Sequence, residues 1–232
     1  MKIAALSLVA AVAASVSAAA SASFVEFYTT STTTSSNGIN VDVYTLWARF
    51  DGATDTVLNA FNLNRLDSNT TNIFYHKDNA KGNDGLAMIK EFGTWAPQLT
   101  GAAVANRPFD SFLTIGGTSG ASNTTSADPS WPAAGGGWNR PDVPNNLNVG
   151  WYNSNPPSLQ GRVGVGANTA DSVRLAQFVI DAGSNGGTWN LKVSFNNASN
   201  STVNFATSTF SLPAPGAVAL LGLAGFVGRR RR

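Results

Sequence analysis

The sequence predicts an all-β protein, an antiparallel β-sandwich or jelly roll, with an N-terminal signal helix and a short C-terminal apolar helix. Three observations carry this expectation. Apolar residues alternate with period two late in the chain, about nine short apolar runs are bounded by Gly, Asn, Asp and Ser, and no sustained helical period lies between the two ends.

Residues 1–22 carry one charge, Lys2, and continue through small and aliphatic side chains to Ala20-Ser21-Ala22, an A-x-A pattern. The export machinery and its signal peptidase are expected to remove this segment after Ala22 or a few residues earlier. The mature chain would then start near Ser23. The domain that follows, residues 23–211, opens with candidate strands at 24–28, 41–50, 56–63, 72–76, 111–115 and 162–165. Residues 57–61 also allow a helical reading, and 87–92 are ambiguous. Residues 173–181 read as a strand buried on both faces. In 189–195, Trp189, Leu191, Val193 and Phe195 fall on one face. The Gly/Ser/Asn-rich link 182–187 joins these two as a hairpin, and 202–210 adds a third strand to the same meander.

Residues 116–157 differ in composition, combining Gly, Pro, Ser and Asn with Trp131, Trp138, Trp151 and Tyr152. The segment is too long for an idle connection, so it is either an ordered excursion packed by its own tryptophans or a mobile flap. Exposed on one face, these four rings would stack on sugars while neighbouring amides take the hydroxyls. Alternatively they cover an open end of the sandwich.

Composition excludes several classes of function. Of the fifteen Lys and Arg residues, Lys2 and Arg229, Arg230, Arg231 and Arg232 lie at the ends, leaving ten positive charges against thirteen negative in the middle. That balance of −3 offers no basic stripe for nucleic acid. Cys is absent, which removes disulfides, thiolate nucleophiles and Cys-ligated metals. His76, the only histidine, would have to be the base of a Ser-His-Asp site, yet no Gly-x-Ser-x-Gly elbow accompanies it. Beside Lys77 and Asp78 it reads as a surface residue. Glu26 and Glu91 are the only glutamates available to a carboxylate-pair glycosidase. No catalytic residue and no cofactor is therefore assigned. Asp51–Asp55 and Asp78–Gly85 carry oxygen donors that suit calcium but lack EF-hand spacing, and both read as hairpin turns. The Asn-x-Ser/Thr matches at Asn69, Asn123, Asn197 and Asn200 are expected by chance in a chain this rich in those residues.

The C-terminus, residues 212–232, begins with Pro213-Ala214-Pro215-Gly216. An apolar helix follows at 216–228, and Arg229, Arg230, Arg231 and Arg232 close the chain. The apolar stretch from Pro213 to Gly228 is shorter than the roughly 20 residues that span a bilayer comfortably. The arginines after it would stay in the cytoplasm and complement the negative end of the helix dipole. This layout resembles the PEP-CTERM sorting signal of exported bacterial proteins, with a Pro-Ala-Pro variant in which Ala214 replaces the usual Glu. The resemblance implies transient anchoring in the inner membrane by the C-terminal helix, recognition by an exosortase-type enzyme, and delivery to the cell surface or beyond. Residues 43–51, 55–61 and 150–157 also resemble a domain of planctomycete-type exported proteins with this tail. The expectation is a non-catalytic protein of the cell envelope or extracellular matrix, associated with exopolysaccharide. The alternatives are a carbohydrate-binding module using the aromatic loop and a glycan hydrolase.

Overall fold

The computed structural model describes residues 23–36, 38–67, 73–76, 90, 93–97, 109–128, 138–140, 143, 149–197 and 200–213. The signal helix with Ala20 and Ala22, Trp131, Glu91, the Asp78–Gly85 segment and the tail from Ala214 onward lie outside them. No helix among the described residues is long and apolar enough to cross a membrane.

Two antiparallel sheets pack face to face in a β-sandwich-like arrangement. The first contains β1 (Phe24–Ser36), β2 (Ile39–Phe50), β5 (Phe112–Leu113) and β9 (Ser172–Asp181), in the order β1-β2-β9-β5. The second contains β3 (Asp55–Arg65), β6 (Thr125–Ala127), β8 (Gly150–Asn153), β10 (Gly187–Asn197) and β11 (Asn200–Leu212), in the order β11-β10-β3-β8-β6. A small pair, β4 (Gly93–Thr94) with β7 (Asn139–Arg140), lies outside both.

Alternation decides which side chains meet between the sheets. In β2, Tyr44, Leu46, Ala48 and Phe50 are buried while Val43, Thr45, Trp47 and Arg49 on the other face are partly exposed. Across the gap, β10 contributes Trp189, Leu191, Val193 and Phe195. The Phe50 and Phe195 rings meet at 5.1 Å, and Phe178 stacks on Phe210 at 6.2 Å. Rings at these separations add to the area they bury. Edge strands β1 and β11 approach where Thr29 Oγ1 donates to the Ser211 carbonyl at 3.1 Å and Phe27 meets Phe210.

Strand β9 is buried on both faces, as its sequence predicts. Its outer side is covered by Tyr75, which with Val41 and Val179 forms a second small core. The Tyr75 hydroxyl donates to Asp181 Oδ1 at 2.5 Å, and Lys90 pairs with the same carboxylate while lying over the Tyr75 ring. Burial pushes the Asp181 carboxyl up, but hydrogen bonds from Lys90 and Tyr75 outweigh it and hold the group below the usual carboxylate range.

Several expectations are corrected. Residues 173–181 and 189–195 do not form a hairpin: β9 belongs to the first sheet, between β2 and β5, and β10 to the second, between β11 and β3. Each already has partners on both edges, so the 182–187 link crosses the sandwich. It is held by Ala182 N–H to the Asn40 carbonyl at 3.0 Å and Gly183 N–H to Asp42 Oδ2 at 2.8 Å. For the same reason Asp51–Asp55 is a crossing between sheets rather than a hairpin turn. Residues 73–76 form no strand, although Tyr75 N–H bonds the Val179 carbonyl at 2.9 Å, and 162–165 contributes a single bridge, Thr56 to Arg162. His76 is not a surface residue. It is 1% exposed and stacks on the buried Trp95 ring at 4.3 Å.

One half-buried cation stands apart. Arg174 of β9 lies over the Phe112 ring at 5.2 Å and donates from Nη2 to Gln177 Oε1 at 2.8 Å, while its Nε is buried without a partner. Burial pulls its pKa down to about 10. No carboxylate pairs with it among the described residues. Arg174→Met keeps the packed stem and removes a desolvated charge, so it is expected to raise the melting temperature by about 2–4 °C, or about 1 kcal/mol. Differential scanning calorimetry checks this, with Arg174→Ala expected to lower the temperature by opening a cavity.

Candidate functional site

The outer face of the second sheet carries side chains in transverse rows. One row crosses all five strands through Ser126, Tyr152, Asn59, Ser194 and Phe205, each opposite the next in register. The adjacent row runs through Gly150, Phe61, Lys192 and Thr207. Aromatic and hydroxyl or amide groups therefore interleave in both directions. Phe205 is 60% exposed and Tyr152 is 36% exposed. Lys192 lies over both Phe61 and Phe205, at 5.3 and 5.1 Å, and those two rings meet edge to face. Such contacts fix the rings as well as attract the cation.

Between β3 and β8 this face forms a groove of about 220 Å³ lined by Asn59, Phe61, Asp128, Gly150, Trp151 and Tyr152. The groove depends on Gly150, because a Cβ there would lie 2.2 Å from the Ala60 carbonyl oxygen and 2.6 Å from Phe61 Cβ. Asn59 Oδ1 accepts from the Ser194 hydroxyl at 2.7 Å, which orients the amide. Asp128 stands at the end of β6, its N–H bonded to the Gly150 carbonyl at 2.9 Å. Aromatic sides with a carboxylate and an amide suit a ligand with apolar CH faces and peripheral hydroxyls.

Of the four aromatic residues singled out in the sequence, the structure separates the three that are described. Tyr152 is in the groove. Trp151, its neighbour, points the other way, is 1% exposed, and donates its Nε1–H to the Thr114 carbonyl at 2.9 Å. Trp138 is half-buried against the main core, and Trp131 lies outside the described residues. The described parts of the 116–157 segment supply β6 and β8 to the second sheet, and Trp138, Trp151 and Tyr152 do not share one surface. Sequence reasoning missed Phe61 and Phe205, although both lie in strands it identified. The shifted register of β3 hid the outward direction of Phe61, whereas β11 alternates regularly through Phe205.

Tyr28 and Trp47 on the first sheet do not make a second such surface. Their rings stack at 6.4 Å and 16°, Arg49 lies over Tyr28, and Tyr28 donates its hydroxyl to Ser172, so the tyrosine is already engaged. Glu26 is ion-paired with Arg49 at 2.5 Å. Asn123, in one glycosylation-type triplet, is buried, and its Nδ2 donates to Thr114 Oγ1 and the Thr118 carbonyl. Among the described residues, no three His, Asp or Glu side chains gather where a metal could sit.

Comparison with family models, with curated proteins and with solved structures finds no match.

Proposed function

We propose that this protein is exported and sorted to the cell surface, where it acts as a non-catalytic, exopolysaccharide-associated component of the envelope or matrix. Its contact surface is the outer face of the second sheet. The observation that carries the reading is the Phe61–Tyr152 groove over Gly150, with Asp128 and Asn59 beside the rings. This keeps the carbohydrate-binding reading and moves it from the loop tryptophans to the sheet. Aromatic faces pack on pyranose CH groups, while the carboxylate and amide take hydroxyls.

The ends support export. Strand β1 begins at Phe24, just after Ala22, and β11 ends at Leu212, just before Pro213-Ala214-Pro215-Gly216. Both sheets are built between the leader and the tail. The leader is the signal-peptidase substrate. The tail, through its apolar stretch and Arg229–Arg232, is the transient membrane anchor read by an exosortase-type sorting enzyme, in the manner of a PEP-CTERM signal.

The test is affinity electrophoresis of the purified, exported protein through gels containing the producing cell's own exopolysaccharide. The native chain is expected to be retarded. Tyr152→Ala should weaken binding roughly tenfold, equivalent to about 1.4 kcal/mol, with an unchanged melting temperature. Equal migration with and without polysaccharide sinks the surface assignment. Intact mass of the surface-released protein tests sorting separately, with a C-terminus near Pro215 expected and a retained arginine tail counting against it.

A further inference from the structure

Asp55 opens β3 with its carboxyl group withdrawn from water, the residue being 0% exposed. Oδ2 accepts the Gly52 N–H at 3.1 Å, while Oδ1 is buried without a hydrogen-bond partner. The turn packs tightly around it, since a Cβ on Gly52 would lie 2.7 Å from either carboxylate oxygen. Burial pushes this carboxyl up and the Asp51 charge pushes it further, against N–H groups of Gly52 and Ser23 that pull it down. A buried carboxylate with an open oxygen and no cation paired with it among the described residues is costly.

Ser23 stands at this site. Its carbonyl accepts the Asp51 N–H at 3.1 Å, which sets its backbone against the turn that carries Asp55, and its N–H pulls the Asp55 carboxyl down. The next residue, Phe24, is fixed opposite Phe50 by the β1–β2 pairing. The other charged groups nearby are engaged or lie on the flanking bridge. Glu26 pairs with Arg49, the Asp171 carboxyl accepts from Thr169 and Ser172, and Arg162 bridges Thr56 through the backbone.

We infer that Ser23 is the mature N-terminus and that its α-ammonium group closes an ion pair with the buried Asp55 carboxylate, so that removing the leader completes the packing of the sandwich. This rests on the export reading for the existence of a leader. It adds which bond is cut and what the new terminus does. Hydrolysis of the Ala22–Ser23 peptide bond by a signal peptidase consumes one water. The water oxygen joins the Ala22 carboxylate, and the Ser23 nitrogen gains protons to become –NH3+. An amide nitrogen with one N–H and no charge thus becomes a cation with three donors at a place the sheet already fixes. Oδ1 gains a donor, and Asp51 changes from an unfavourable neighbour of Asp55 to a favourable neighbour of the cation.

The sign of the pH dependence follows. Pairing raises the α-amine above the roughly 7.7–8.0 of an unfolded terminus. Its stabilisation is full below that value and is lost as pH rises through the folded one. With a blocked, neutral terminus, Asp55 keeps its raised carboxyl, whose contribution is present in acid and lost as pH rises.

The experiment uses the protein exported and processed by a bacterial host. N-terminal sequencing is expected to read Ser23 first. Acetic anhydride labelling across pH, read by mass spectrometry, should place the α-amine at least about one pH unit above an ordinary terminus, a roughly tenfold slower reaction at neutral pH. Asp55→Asn should return it to the ordinary value, and Asp51→Asn should lower it by a smaller step. Carbamylation of the α-amine with cyanate should lower the melting temperature by about 4 °C at pH 6 and leave it unchanged at pH 10. If Asp55→Asn fails to fold, the native α-amine value and Asp51→Asn decide. A start at another residue overturns the cleavage assignment and this inference together. A Ser23 start with an ordinary α-amine overturns the ion pair alone.

Discussion

Gly116→Ala is expected to lower the stability of the protein by about 3 kcal/mol or more. Gly116 follows β5 with φ of +79°, and an added Cβ would lie 1.7 Å from the Gln160 carbonyl oxygen and 2.8 Å from Asn168 Nδ2. The atom it would strike is backbone, so relief requires the 160–168 segment to move. That segment anchors a half-buried polar network. Asn168 Nδ2 donates to the Gln160 carbonyl at 2.7 Å, Gln160 Nε2 donates to the Ile115 carbonyl at 2.7 Å, and the Thr124 N–H donates to Gln160 Oε1 at 2.9 Å. Displacing Gln160 leaves several of these groups without partners at once, among them the carbonyl of buried Ile115, and a buried acceptor left unpaired costs about 1–3 kcal/mol. Gly164→Ala is the control, because its φ of +71° is similar but nothing lies within 4 Å of the added Cβ. It should cost only about 1 kcal/mol. Urea denaturation of both variants separates the clash from the conformational term, and equal midpoints would contradict it.

The strands visible in the sequence are those whose alternation is regular. β2 and β10 keep one face apolar through most of their length, and β9 reads as fully buried because both of its faces are covered. β3 obeys a different spacing. Its buried side chains include Val57, Ala60 and Leu63, three apart, because the register with β10 shifts twice and Asn62 adopts φ of +55°. A spacing of three is what a helix shows, so residues 57–61, although read as part of a strand, also allowed a helical reading. The same bulges conceal that Phe61 faces outward. β6 and β8 were not legible for another reason, being short and set among Gly, Pro and Asn, where composition alone signals a loop.

Sheet membership was also illegible, since local turn chemistry is the same whether a link joins neighbours or crosses the sandwich. Only the pairings of β9 with β2 and of β10 with β3 decide it. Of the candidate site, Tyr152 was identified from its composition-rich segment. Asp55 and His76 carried no burial signal beyond their apolar neighbours. A charged or titratable residue is placed inside by what surrounds it, and that is a property of the assembled sheets.

Trp151→Ala is expected to cost about 3–5 kcal/mol, the usual range for removing a buried tryptophan. Trp151 faces inward from β8, opposite Ala60 on β3 and Ala127 on β6, and both partners are too small to fill the space its ring would leave. The indole also satisfies the Thr114 carbonyl, so truncation opens a cavity and strands a buried acceptor together. Trp151→Phe should retain most of the packing and lose mainly the hydrogen bond, about 1 kcal/mol. The two variants therefore divide the total into volume and polar parts in urea titrations followed by near-ultraviolet circular dichroism. The groove supplies a further readout. Trp151 lies under the same surface as Phe61 and Tyr152, so a Trp151→Ala chain that still folds should bind polysaccharide more weakly, although the indole does not face the ligand. Unchanged binding in a destabilised Trp151→Ala protein would detach the groove from its support and move the contact surface toward the exposed Phe205 edge.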